Sequence, residues 1–472
     1  MMESKTKPQP KLGTLEKYGY SIGAMGEGMA FNLVSSFYMI YCTDILGITA
    51  GFMATLIFFA RLWDAANDPI MGTLAENITT KWGRHRPWIL IGAISNAAVV
   101  ALMFNPTLAR ALNPAVYISI FYVLCDMTYT IIDVPYYAYA AAFTDPHERD
   151  QISTLPRILG GAGTIGIPAL TLLMVSKLSP GNQGQGYFRW ASLIAVFFVL
   201  CAVVTVLTIK DRRISTREKK FSFMEAFRTL KNNDQLLIIE VVFILAFIAI
   251  TMTTSVALYY FKYVWKNPDA YATFSLVAGA GMGISLLSYP FLAKKISRRK
   301  IFIGSLILPI VGYSLMFLVS MVSNSVNALL PVVLVLVSGY GCISILSSVF
   351  MVDTVEYGEW KLGYRSETII FSLLTLMGKF SNAIAGLLTG WGLQLGGYRS
   401  TIEDTMGFAG EAGAIPYQPE GVTTALYILM FAVPPLILGA ALLLYLKKYK
   451  LHGAFLDQIT DELKAKRENS VR

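Results

Sequence analysis

A chain of 472 residues in which 55% are hydrophobic and only 15% are charged is too apolar for a soluble globular protein, where charged residues make up roughly 25%. The mean hydropathy of +0.54 extends that conclusion over the whole length, since one apolar helix could not produce it. The net charge of +9 would suit a nucleic-acid binder, but the Lys and Arg sit between apolar runs, which argues against nucleic acid as a partner.

The chain opens with a polar, basic stretch from Met1 to Lys17. The apolar run after it is too long for a signal-peptide core and no A-x-A pattern follows, so no cleaved leader is expected. Apolar segments then recur at 21–43, 50–75, 88–106, 115–142, 155–176, 190–209, 236–261, 270–293, 301–322, 328–352, 368–394 and 423–446. About 20 apolar residues cross the hydrocarbon as a helix. The reading is therefore an all-α polytopic membrane protein of twelve transmembrane helices. Period-two alternation is absent, which argues against a transmembrane β-barrel.

Positive charge sets the orientation. With the N-terminus in the cytoplasm, 30 of the 39 Lys and Arg fall on that side, six fall in outer loops, and Arg61, Arg157 and Lys379 lie inside spans. The dense runs Lys210-Asp211-Arg212-Arg213, Arg298-Arg299-Lys300 and Lys447-Lys448 share the inner side. This asymmetry predicts that both termini are cytoplasmic, in an inner or plasma membrane.

The charged stretch 210–235 divides six spans from six. It predicts one bundle over 1–209, a second over 236–446, and a cytoplasmic tail over 447–472. The loop after span two reads Lys81-Trp82-Gly83-Arg84-His85-Arg86, and the loop after span eight reads Lys295-Ile296-Ser297-Arg298-Arg299-Lys300. A similar basic turn at corresponding places predicts two pseudo-symmetric bundles.

Ionisable groups inside spans are costly and therefore informative. Span two contains Arg61-Leu62-Trp63-Asp64-Ala65-Ala66-Asn67-Asp68-Pro69. Helical spacing puts Asp64, Asn67 and Asp68 on one face, a cluster of hard oxygens suited to Na⁺, Li⁺ or a proton. Arg61, one turn earlier, could neutralise a carboxylate when the cation is absent. Span four carries Asp126, Thr130, Asp133 and Tyr137 along one helical stripe. These could complete a cation shell or bind sugar hydroxyls, with Tyr137 stacking on a pyranose ring; a polar seam between helices is the plainer alternative. Lys379 in span eleven needs a carboxylate partner, with Asp64, Asp68 or Asp133 as candidates, unless it is a static pair holding the bundles together. Glu27, between Gly26 and Gly28, is a further acid at membrane depth.

Enzyme signatures are missing. His85, His147 and His452 fall in cytoplasmic segments, and no metal-ligand spacing, nucleophile elbow or phosphate loop appears. This argues against an enzyme and against an ATP-driven pump, and no cofactor is expected. Cys42, Cys125, Cys201 and Cys342 all lie in apolar segments without CxxC spacing, as buried small hydrophobes.

The chain resembles the glycoside–pentoside–hexuronide:cation symporters of the major facilitator superfamily. The resemblance rests on Tyr41-Cys42-Thr43-Asp44, on the string from Ala60 through Arg61, Asp64, Asn67 and Asp68 to Gly72, and on Trp82-Gly83-Arg84-His85-Arg86-Pro87-Trp88. It continues through Thr128-Tyr129-Thr130-Ile131-Ile132-Asp133-Val134-Pro135, Pro156-Arg157, Glu356-Tyr357-Gly358-Glu359-Trp360-Lys361 and Lys379. It is dense over roughly 15–165 and 350–395 and looser elsewhere.

The resemblance implies a major facilitator fold with adjoining cation and sugar sites. Asp64, Asn67, Asp68 and Thr130 match positions that bind Na⁺, Li⁺ or H⁺. Asp133, Tyr137 and Arg157 match the sugar side, Tyr137 standing where a galactoside-carrying member has Trp. Lys379 matches a lysine linking the half-bundles at the cation site, and Arg149 a cytoplasmic gate. That galactoside-carrying member has a sugar-binding Asp on span one where this chain has Gly28, so Glu27 or Asp126 could supply a substitute acceptor for a different glycoside.

The function expected is therefore symport of a small glycoside with a monovalent cation by alternating access, with a monomer sufficing. A sugar acid or lysolipid cargo on the same fold is the alternative, and a non-transporting sugar sensor is another.

Overall fold

The computed structural model describes residues 12–78, 80–141, 143, 146–210, 223–323, 325–363, 367–399 and 418–471. Twelve long helices occur among them. They are α1 (Thr14–Asp44), α2 (Ala50–Asn77), α3 (Arg86–Met103), α4 (Pro114–Ala141), α5 (Pro146–Leu178) and α6 (Gln183–Thr208), then α7 (Asp234–Val264), α8 (Pro268–Ala293), α9 (Arg298–Val322), α10 (Val326–Leu362), α11 (Glu367–Leu395) and α12 (Glu420–Lys448). Every apolar segment read from the sequence overlaps one of them. A thirteenth helix, α13 (Ala454–Val471), occupies the stretch read only as a tail. A short helix, Phe223–Asn232, lies within the stretch read as the central loop.

Nine of the helices are long and apolar enough to cross a membrane, among the described residues. The other three are α1, α2 and α11, with 31, 28 and 29 residues. Length does not separate them from the rest. They carry Glu27, the Arg61–Asp68 string and Lys379, ionisable groups at membrane depth. Large side chains exposed on the helix flanks are apolar, as at Leu207, Phe291, Leu318 and Leu436, which suits contact with lipid rather than water.

Helix ends follow ordinary capping chemistry. Asn105, Asn182, Asn233 and Asn267 each stand just before a helix and accept from a backbone amide within its first turn. These amides would otherwise lack partners at the edge of an apolar medium.

The chain divides into two compact units, one within Met1–Ile48 and Trp63–Glu218, the other within Thr49–Leu62 and Lys219–Arg472. In the first, α1 packs on α5 and α6, while α3 packs on α4 and α6. In the second, α7 packs on α11 and α12, while α9 packs on α10 and α12. The pairing scheme is the same with each helix number raised by six, which is the internal repeat that the two basic turns suggest. The first half of α2 belongs to the second unit, where the Gly51 amide donates to Gln394 Oε1 at 2.7 Å.

The cores are apolar and aromatic. Tyr20, Leu33, Phe37 and Tyr41 on α1 are buried, as are Phe243, Ala246, Ala249 and Met252 on α7. All four cysteines are buried and none forms a disulfide.

Candidate functional site

The first unit brings the intramembrane polar residues of α1, α2 and α4 into two adjoining clusters. Asp64 on α2 is buried, and the Thr130 hydroxyl on α4 donates to its Oδ1 at 3.0 Å. The same hydroxyl lies 3.0 Å from the Asp126 carbonyl oxygen, one turn back on its own helix. Thr130 can therefore turn its proton from Asp64 to its own backbone and leave a lone pair free for a cation beside Asp64. Asn67 and Asp68, one turn along α2, are half-buried. Of the four residues, the structure joins Thr130 to Asp64, and all four are hard-oxygen donors. Such a set suits an alkali ion better than a transition metal, which would select imidazole or thiolate.

The second cluster lies one turn further along α4. Glu27 on α1 is 3% exposed and lies close enough to Asp133 and Tyr129 to act on them electrostatically. Its Oε1 is buried and has no hydrogen-bond partner among the described residues. An orphaned carboxyl oxygen at membrane depth is expensive unless a ligand takes it up. Tyr137, 56% exposed, sits edge-on to Tyr136 with ring centroids 5.5 Å apart, and Arg157 on α5 is close enough to act on it electrostatically. Asp126 is buried on α4.

The stripe Asp126–Thr130–Asp133–Tyr137 thus serves different neighbours. Thr130 meets α2, whereas Asp133 meets α1. Glu27, in sequence one more acid at membrane depth, is in the structure part of the Asp133 cluster. Sequence reasoning missed Tyr129 and the stacked pair Tyr20–Tyr136, whose rings are 4.2 Å apart. Each hydroxyl of that pair donates to the other residue's carbonyl oxygen, at 2.7 and 2.5 Å, which locks α1 against α4. Neither residue breaks an apolar pattern, so nothing in the sequence marks them.

Gly28 also receives its explanation. A Cβ there would stand 2.9 Å from the Gly160 carbonyl oxygen on α5, and one on Gly163 would stand 2.9 Å from the Met29 amide nitrogen. The two helices meet backbone to backbone, so position 28 has no room for a side chain and no carboxylate can be presented from it.

Arg61 and Lys379 are half-buried, on α2 and α11, in the second unit. The side chain of Arg149 lies outside the described residues, although its backbone is part of α5.

A family model described as "MFS/sugar transport protein" matches residues 19–453. The chain belongs to that family. It is similar to "Inner membrane symporter YicJ" of Escherichia coli (strain K12), 28% identical over 82% of this chain and 84% of the relative. It is also similar to "Isoprimeverose transporter" of Lactiplantibacillus pentosus, 29% identical over 81% of this chain and 80% of the relative. Among solved structures, a bacterial homologue of the human lysosomal transporter Spinster, inward-facing and unoccupied, aligns with a TM-score of 0.66 at 13% identity. That alignment covers 92% of this chain and 97% of the other. The fold of this sugar-transport family member is that of the major facilitator superfamily, and it is a multi-pass membrane protein.

Proposed function

We propose that this protein is a secondary transporter that couples entry of a small neutral glycoside to a monovalent cation, with Na⁺ as the driving ion. Asp64, Asn67, Asp68 and Thr130 hold the cation. Glu27, Asp133, Tyr137 and Arg157 face the glycoside, with Asp126 supporting that side, and Arg61, Lys379 and Arg149 take part in coupling and gating. The observation that carries the reading is the division of α4. Thr130 contacts Asp64, and three residues later Asp133 adjoins Glu27. A cation that draws the Thr130 oxygen toward Asp64 also fixes the rotation of α4, and hence the acceptor geometry of Asp133. Each ligand then raises the affinity for the other, which is the thermodynamic content of symport.

Two further observations support the reading. The relatives are named for symport and for isoprimeverose, a glycoside. The carboxylates at the Glu27–Asp133 cluster suit hydroxyl donors, and they would repel a sugar acid or the phosphate of a lysolipid. A non-transporting sensor would have no need of an alkali-ion site beside the sugar site.

The test uses membrane vesicles at constant pH with an uncoupler present. An imposed inward Na⁺ gradient is expected to concentrate a labelled glycoside such as isoprimeverose. If accumulation vanishes with the proton gradient and no Na⁺ concentration restores it, the coupling ion is H⁺ and the Na⁺ assignment fails.

A further inference from the structure

The second unit contains a cavity of about 620 Å³, and none of its wall residues belongs to the clusters on α1, α2 and α4. Its walls come from the start of α9, the end of α10, the end of α12 and the first turns of α13. The helix α13 is held over it by named contacts. Trp360 Nε1 donates to Glu462 Oε2 at 2.7 Å, the Thr460 hydroxyl donates to Glu356 at 3.4 Å, and Ile459 and Leu463 are buried. A volume of that order is typical of small-molecule sites.

The wall chemistry is mixed in a specific way. Arg299 projects beside His452 and forms no ion pair with a described residue, and α9 begins at Ser297 without a side-chain cap. Arg299 and the open helix-start amides favour an anion at the start of α9, while Asp353, Glu356 and Asp457 make the rest of the wall acidic and suited to hydroxyl donors. The remaining wall offers hydrogen-bonding atoms left without protein partners. The Tyr445 side chain is 2% exposed and its hydroxyl has no partner. Asp353 is 5% exposed; its Oδ1 takes Arg298 at 3.4 Å, while its Oδ2 has none. His452 Nδ1 is likewise buried without a partner.

These features discriminate among ligand classes. A bare cation could meet Asp353, Glu356 and Asp457 but would leave Arg299 and the α9 amides unanswered. A bare inorganic phosphate would leave Asp353 Oδ2 without a donor and would be repelled by it. An uncharged polyol would leave Arg299 and the α9 amides unanswered. We propose that the cavity binds a phosphorylated polyol, with its phosphate held by Arg299, His452 and the first amides of α9, and its hydroxyls held by Asp353 and Tyr445. It shares no wall residue with the transport clusters, so its ligand acts as a regulator rather than a cargo. A soluble sugar phosphate and the headgroup of phosphatidylglycerol share this chemistry.

The experiment uses the full chain in nanodiscs of uncharged phosphatidylcholine and measures binding by calorimetry. Glucose 6-phosphate is expected to bind saturably, with glucose and inorganic phosphate at least about tenfold weaker. Arg299→Gln and Tyr445→Phe should each weaken it by about tenfold. Arg299 is exposed, so its variant should fold; His452→Gln serves in its place if it does not. A second arm compares thermal unfolding with and without phosphatidylglycerol in the disc. Stabilisation of wild type but not of Arg299→Gln, with no glucose 6-phosphate binding, would support the site with a lipid headgroup as its source. Absence of both effects, or effects equal in wild type and variants, would overturn the proposal, as would equal affinity for glucose and glucose 6-phosphate.

Discussion

Gly28 on α1 and Gly160 on α5 touch through their backbones: a Cβ on Gly28 would lie 2.9 Å from the Gly160 carbonyl oxygen. The carbonyl belongs to a helix and cannot step aside as a flexible side chain would. Any substitution at position 28 therefore has to part the two helices. Gly28→Ala is expected to cost about 1–3 kcal/mol, as overpacking does in other tightly packed interiors. It should lower the thermal unfolding temperature in detergent. Gly28→Asp should be worse and should not confer galactoside uptake. A Gly28→Asp variant of unchanged stability that accumulates a galactoside would show that the close approach is not what excludes a carboxylate there.

The Thr130–Asp64 contact predicts a selective loss. Thr130→Val keeps the shape and removes the oxygen, so the apparent affinity for Na⁺ should weaken by about tenfold. Sugar exchange at saturating Na⁺ should be less affected, because Glu27 and Asp133 remain. Asp68→Cys removes a full charge and should abolish Na⁺-driven accumulation. Uptake kinetics at varied Na⁺ distinguish these outcomes, and wild-type Na⁺ stimulation in Asp68→Cys would remove that residue from the site.

The distribution of basic residues predicts that the segment after α12 lies on the inner side. A reporter active only in the periplasm, fused after Lys450, should give no activity, whereas the same reporter inserted near Asn113, in the loop before α4, should be active. Strong activity from the Lys450 fusion would reverse the orientation.

His452 connects α12 to α13. Burial first, and then the neighbouring Arg299, hold its imidazole below the ordinary value of 6.5. In the window just below 6.5 the undocked segment binds a proton that the docked segment refuses, so docking strengthens as pH rises and weakens as pH falls through that window. Hydrogen exchange of 451–463 should therefore be faster at about pH 5.5 than at about pH 8, relative to the intrinsic rate. His452→Gln should flatten that dependence; an unchanged profile would mean that other groups control the segment.

Much of this molecule is written along the chain in one dimension. Spanning lengths, the inner bias of Lys and Arg, and the Arg61–Asp68 string are properties of local sequence. A lipid environment enforces them residue by residue, because each unsatisfied polar group or misplaced charge there is costly on its own. For that reason the twelve long helices and the candidate acids on α1, α2 and α4 are legible in the amino-acid sequence alone. The same reasoning stops at the ends, where water relaxes the penalty: α13 and the helix at Phe223–Asn232 lie in stretches that read as tail and loop.

Tertiary structure decided which polar groups meet. Helical periodicity puts Thr130 and Asp133 on one stripe, but it does not fix the rotation of α4 against α1 and α2, and that rotation sends Thr130 to Asp64 and Asp133 to Glu27. It also settled why position 28 is glycine, since the reason is a carbonyl 132 residues away in sequence. The cavity beneath α13 belongs to the same class. Arg299, Asp353, Tyr445 and His452 come from separate helices and the turn beyond α12, and only packing, which is governed by distance in space, brings them to one wall.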